Sequence, residues 1–145
     1  MTNKCCLPWP NRPGWLDKLA GLAVLVMLVS LVSCSGASRE ELASLAAKGY
    51  YQHLIDGDYD HFLEGRLMAD SLPDDYRSQL IDGYSQFIDQ QVKTRGGINE
   101  VRISRAFTDS TLQYTSVLLM LCYGDSTTEE VVVPMVERDG RWMMK

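Results

Sequence analysis

The spacing of apolar and polar residues changes several times along the chain, and each change marks an element. Leu19 to Ser33 is a run of 15 residues without a charge. After it, Leu42, Leu45, Ala46, Tyr50 and Leu54 recur at spacings of three and four, the stripe of an amphipathic helix. Ser38 stands where its hydroxyl can accept from the amide three residues on, Glu41 can reach back, and Gly57 suits a left-handed helix end. Asp58 caps a second, short helix through Tyr59, Phe62 and Leu63. Pro73 with Asp74 and Asp75 opens a third, because proline needs no amide bond in a first turn and acids face the positive end of the helix dipole. Its stripe runs through Tyr76, Leu80, Tyr84, Phe87, Ile88 and Gln91 and stops before Gly96-Gly97.

From there the period becomes two. Val101, Ile103, Arg105 and Phe107 alternate with Arg102, Ser104 and Ala106, and further strands are predicted over 112–123, 127–138 and 141–144. The gaps at Asp109-Ser110, Gly124-Asp125-Ser126 and Asp139-Gly140 are turn-sized, which makes the strands an antiparallel meander. Pro134 has no N–H to give to a ladder, so the third strand needs a bulge or an unpaired side there. The expected fold class is α+β: three N-terminal helices packed on a curved four-stranded antiparallel sheet, over residues 38–145.

The uncharged run belongs to a different part of the chain. Lys4, Arg12 and Lys18 precede it against the single Asp17, the cationic-then-apolar order of a secretion signal. Fifteen residues fall short of the roughly 20 needed to cross about 30 Å of hydrocarbon, so cleavage is the better expectation. The run closes on Leu31-Val32-Ser33-Cys34, which resembles the lipobox of bacterial lipoproteins. That resemblance implies a signal peptide over 1–33 and a diacylglycerol on the Cys34 sulfur with acylation of the freed amine, followed by a short tether over 34–37. The membrane is then a partner through the lipid on Cys34, held by more than one acyl chain as stable anchoring requires. Ser35, in place of aspartate after the cysteine, resembles the sorting pattern for the outer membrane, so the expected address is the cell envelope, lipid-anchored at that membrane.

Charge and cysteines narrow the function classes. The chain carries net −5, and three of its 14 Lys and Arg but only one of its 19 Asp and Glu precede Cys34, so the remainder is more acidic still. Such a surface repels phosphate backbones and excludes nucleic acid as an expected partner. Of the four cysteines, Cys5 and Cys6 leave with the signal and Cys34 is lipidated. Cys122 stands alone, without a disulfide and expected as a small thiol in the core.

Tyr50-Tyr51, Leu54-Ile55-Asp56-Gly57-Asp58-Tyr59, Val133-Pro134-Met135-Val136 and Asp139-Gly140-Arg141-Trp142-Met143 carry a second resemblance. In this register residues 38–145 resemble the cone-shaped nuclear transport factor 2-like fold, and most closely small lipoproteins of Bacteroidetes-type bacteria grouped as a domain of unknown function. The resemblance implies an open conical cavity between helices and sheet, and a frequent habit of pairing through the sheet. Enzymes built on this cone, such as steroid isomerases, place an Asp or His base and a Tyr donor in the apolar cavity. Tyr50, His53, Tyr84 and Tyr114 are the candidates to face such a cavity.

None of these candidates amounts to a catalytic set, because no acid is clearly aimed inward from the strands: Asp109 and Asp125 fall in turns. Asp56, Asp58 and Asp60 alternate as in a calcium loop, but a loop starting at Asp56 places His61 where glycine is needed and Leu67 where the closing glutamate is needed. His53 and His61 lie eight residues apart across a helix break, with no cysteine or third histidine at metal-ligand spacing, so no metal and no cofactor are expected. The strand over 112–123 is apolar on both faces, and Val117, Leu119 and Leu121 are expected on a face used for a homodimer or an envelope-protein partner. The leading expectation is a lipid-anchored, non-catalytic binding or accessory domain for a small apolar ligand or an envelope protein. The alternative is a small isomerase, hydrolase or dehydratase working in the cavity. An acid or histidine beside a hydrogen-bond donor inside the cone favours the enzyme, and a purely apolar lining favours the binding module.

Overall fold

The computed structural model describes residues 36–145, so the expected signal segment and the lipid-bearing Cys34 lie outside the described residues. Helix α1, Arg39–Ile55, begins where the Ser38 hydroxyl accepts from the Glu41 N–H at 3.1 Å. Gly57, at φ 79°, turns the chain back on itself, and the Asp58 N–H donates to the His53 carbonyl at 2.8 Å. Asp58 caps α2, Tyr59–Glu64, and a 3-10 turn over Ala69–Ser71 leads to α3, Asp74–Arg95, which ends on Gly96 at φ 74°.

Strands β1 (Ile98–Asp109), β2 (Tyr114–Tyr123), β3 (Thr128–Arg138) and β4 (Arg141–Met144) pair antiparallel in the order β1-β2-β3-β4. Pairing of β1 with β2 is interrupted between Ile98 and Glu100 and between Ile103 and Arg105. Pro134 keeps its register with Ser116 and its carbonyl accepts from the Lys145 N–H at 2.9 Å. In a strand the N and O of one residue point to the same side, so the missing donor faces the end of the short β4, where the ladder stops. The other edge of β4 is covered: the Leu67 N–H donates to the Met144 carbonyl and the Met144 N–H to the Gly65 carbonyl, each at 2.7 Å.

The core lies between α1, α2 and one face of the sheet, with Leu54, Phe62, Val101, Val117, Leu119, Met135 and Trp142 buried together. Three sequence expectations are corrected here. The buried face of α1 is Ala43, Ser44, Ala47 and Leu54, whereas Leu42 and Leu45 are exposed. The two alanines, wholly buried, let the helix backbone approach the strands more closely than leucines would. Strand β2 starts at Tyr114 rather than 112, because the Asp109 carboxylate accepts from the Thr111 and Leu112 N–H groups at 2.8 and 3.0 Å and Gln113 turns at φ 55°.

The third correction concerns the sheet face. Val117, Leu119 and Leu121, expected to face a partner, are 0%, 0% and 3% exposed and pack in the core beneath the helices. Alternation then sends Leu118, Met120 and Cys122 to the opposite face, alongside Val132 of β3. Cys122 is accordingly a half-buried thiol on that face and not a core residue. Its chain neighbours Leu121 and Tyr123, of the opposite parity, take the inward positions. Among the described residues no helix is long and apolar enough to cross a membrane.

Candidate functional site

Helix α3 is 22 residues long, yet none of its residues is fully buried. It leans over the sheet rather than closing on it, and the space beneath is a cavity of about 410 Å³. Tyr51 and Leu54 of α1, Phe62 of α2, and Tyr84, Phe87 and Gln91 of α3 form its helical wall, and Leu121 and Val131 form its sheet floor. Aromatic edges hold the wall in place: Tyr51 meets Phe62 at 5.6 Å and Phe62 meets Tyr84 at 4.9 Å between ring centres, both nearly perpendicular.

Charge is confined to two places on the lining. At one, Arg95 at the end of α3 donates to Glu129 of β3 at 2.8 Å and lies over the Tyr123 ring at 3.5 Å, while the Tyr123 hydroxyl donates to the same carboxylate at 3.0 Å. At the other, Arg66 is set by the backbone bonds of Gly65 and Leu67 to β4. Burial pushes the Tyr51 hydroxyl above its ordinary value of 10.0, against the opposing pull of Arg66. Tyr123 is raised as well, first by burial and then by Glu129, so both phenols remain donors at neutral pH. The Tyr84 hydroxyl is buried with no hydrogen-bond partner among the described residues.

Arg95, and after it Tyr123, hold Glu129 below its ordinary value of 4.5. A carboxyl whose folded value is depressed contributes stability that is present above its unfolded value and lost as pH falls through the folded one. The expected result is that Glu129→Gln destabilises the protein at pH 7, and that the gap to wild type in urea midpoint narrows as the pH drops below about 4.5. A gap that stays constant down to pH 3 would show that the pair contributes nothing in solution.

Of the four cavity candidates, the structure places Tyr84 on the lining and the other three elsewhere. The Tyr50 hydroxyl donates to the Trp142 carbonyl at 2.9 Å and its ring fills the space above Gly65. Tyr114 begins β2 opposite Asp109, with the Lys145 ammonium 5.4 Å from its ring. His53 sits at the corner between α1 and α2. There its Nδ1 is 3.1 Å from Asp58 Oδ2, and the Nδ1 of His61 is 2.7 Å from the same oxygen. The two imidazoles stack at 5.2 Å and 25°. Sequence spacing alone gave no reason to join Asp58 to the histidine pair.

Glu129, half exposed on the cavity lining, is the acid not anticipated from the turns. Its signal was present in the alternation, since it shares parity with Val131, Val133 and Met135, all of which face the helices. Arg66 had no such signal, because its place depends on a parallel bridge to Met144 nearly 80 residues away.

No family model matches the chain, and no curated protein matches it. Among solved structures it is similar to a Campylobacter jejuni protein described as a candidate NTF2-like transpeptidase, with a TM-score of 0.52 and 15% identity. The match covers 68% of this chain and 92% of that one. The fold is nuclear transport factor 2-like. Identity this low carries the fold alone, so the transpeptidase description stays with the Campylobacter protein.

Proposed function

We propose that the protein is a lipid-anchored cell-envelope lipoprotein whose NTF2-like domain is a non-catalytic binding module for a small, largely apolar ligand. The cation-then-apolar leader and Leu31-Val32-Ser33-Cys34 support the anchoring and the envelope address. The observation that carries the binding reading is the unfilled space of about 410 Å³ under α3, with apolar side chains on both its wall and its floor. Leu54, Phe62, Phe87, Leu121 and Val131 supply the apolar contact.

A second reading, a small cavity enzyme, rests on Glu129 beside the Tyr123 hydroxyl, an acid next to a donor. Its difficulty is electrostatic. A general base works best with a pKa near the operating pH, and Arg95 pulls Glu129 the other way.

Native mass spectrometry of the protein as purified from its own host tests the binding reading, alongside uptake of the apolar anionic dye 1-anilinonaphthalene-8-sulfonate. A small-molecule adduct and dye binding are expected in wild type, with both lost in Val131→Trp, which fills the floor. Bare protein that takes up no dye counts against the module. Consumption of the co-purified molecule by wild type but not by Glu129→Gln would favour the enzyme.

A further inference from the structure

The α1–α2 corner holds a second cluster, separate from the cavity lining. His53 comes from the last turn of α1, Asp58 is the cap of α2 and His61 lies one turn into α2. Their positions are fixed by the backbone: Gly57 reverses the chain at φ 79°, and the Asp58 N–H is bonded to the His53 carbonyl, which folds the carboxylate back over the imidazole. Both rings turn the same nitrogen, Nδ1, toward the same carboxylate. One ligand atom from each of the three residues lies within 4.8 Å of the others.

We propose that His53, Asp58 and His61 form a surface site for a divalent transition cation of the zinc class. Zinc binds imidazole nitrogen and carboxylate oxygen at about 2.0–2.1 Å, which in a tetrahedron sets neighbouring donors about 3.3 Å apart. The Nδ1 to Oδ2 separations here are 3.1 and 2.7 Å, so small side-chain rotations open the triad around an ion. Two nitrogens and one oxygen suit zinc, copper or nickel, whereas calcium and magnesium take oxygen ligands. With side chains 44%, 40% and 62% exposed, the fourth position is open to water or to a donor from another molecule. The competing account is that Asp58 simply accepts a proton-bearing Nδ1 from each ring, an arrangement that needs no ion.

The two accounts separate in a zinc titration of the untagged full chain against a chromophoric chelator, with its thiols alkylated so that cysteine contributes nothing. The site predicts one zinc per chain at micromolar affinity, undisturbed by excess magnesium or calcium. His61→Ala, at the most exposed of the three positions, is expected to weaken binding by more than about tenfold, the loss that even an outer-sphere partner can cause. His53→Ala should do the same, with circular dichroism confirming that both variants remain folded. Absence of stoichiometric binding, or binding that both variants retain at wild-type strength, overturns the site and leaves the cap as a hydrogen-bonded cluster.

Discussion

Gly124→Ala is expected to lower stability by about 3 kcal/mol, the upper part of the range for forcing an extra methyl into a filled site. The added Cβ would run into the carbonyl of Gly96, which is backbone and cannot rotate aside. Nor can the two segments drift apart, because the Gly124 N–H donates to the Gly97 carbonyl and the Asp125 N–H to the Arg95 carbonyl, each at 2.9 Å. That seam joins the C-terminus of α3 to the β2–β3 turn, and Arg95 and Glu129 lie immediately beside it. The variant should therefore lose dye binding as well as urea midpoint. Gly83→Ala supplies the contrast: nothing lies within 4 Å of its added methyl, so the change should be neutral or stabilise α3 by about 0.5–1 kcal/mol. Equal effects at the two glycines would show that the seam is not tight in solution.

Leu119→Ala is expected to cost about 2–5 kcal/mol, as for other large-to-small changes at fully buried sites. Leu119 is 0% exposed and packs among Val101, Val117 and Met135. The informative measurement is the urea midpoint at two protein concentrations far apart. A core residue shifts the midpoint by the same amount at both, whereas an interface residue gives a shift that depends on concentration. The core position predicts the first outcome.

Much of the fold was legible because local rules were strong where they acted. Ser38, Gly57, Asp58, Pro73 and Gly96 all stand at helix ends, and the period-two stretch after Gly97 is sheet. What failed was the choice of face. In a strand apolar on both sides, as at 117–122, periodicity cannot say which parity is inward. The turn held by Asp109 and the helices above β2 decide that, and neither is written in the strand itself. Helix α1 failed for a related reason, since alanine carries little apolar signal even where close approach to the sheet makes it the buried residue. The site was legible only in part. Tyr84 followed from its stripe and Glu129 was available from parity, but Arg66 and the grouping of Asp58 with two histidines depend on chain reversals that spacing does not encode.

The pairing of Gly65 and Leu67 with β4 also bears on how this protein behaves when crowded. It caps Met144, but β4 pairs only with Met135–Arg138, so a strand from another chain could add along residues 128–133 of β3 or along β1. The β1 border is a poor template: its pairing is broken twice, and Arg102 and Arg105 are exposed on it. Growth of the sheet into fibrils is thus hindered along β1 by irregularity and charge and at Met144 by capping, which leaves the valine-rich stretch of β3 before Pro134 as the edge where a second chain would pair.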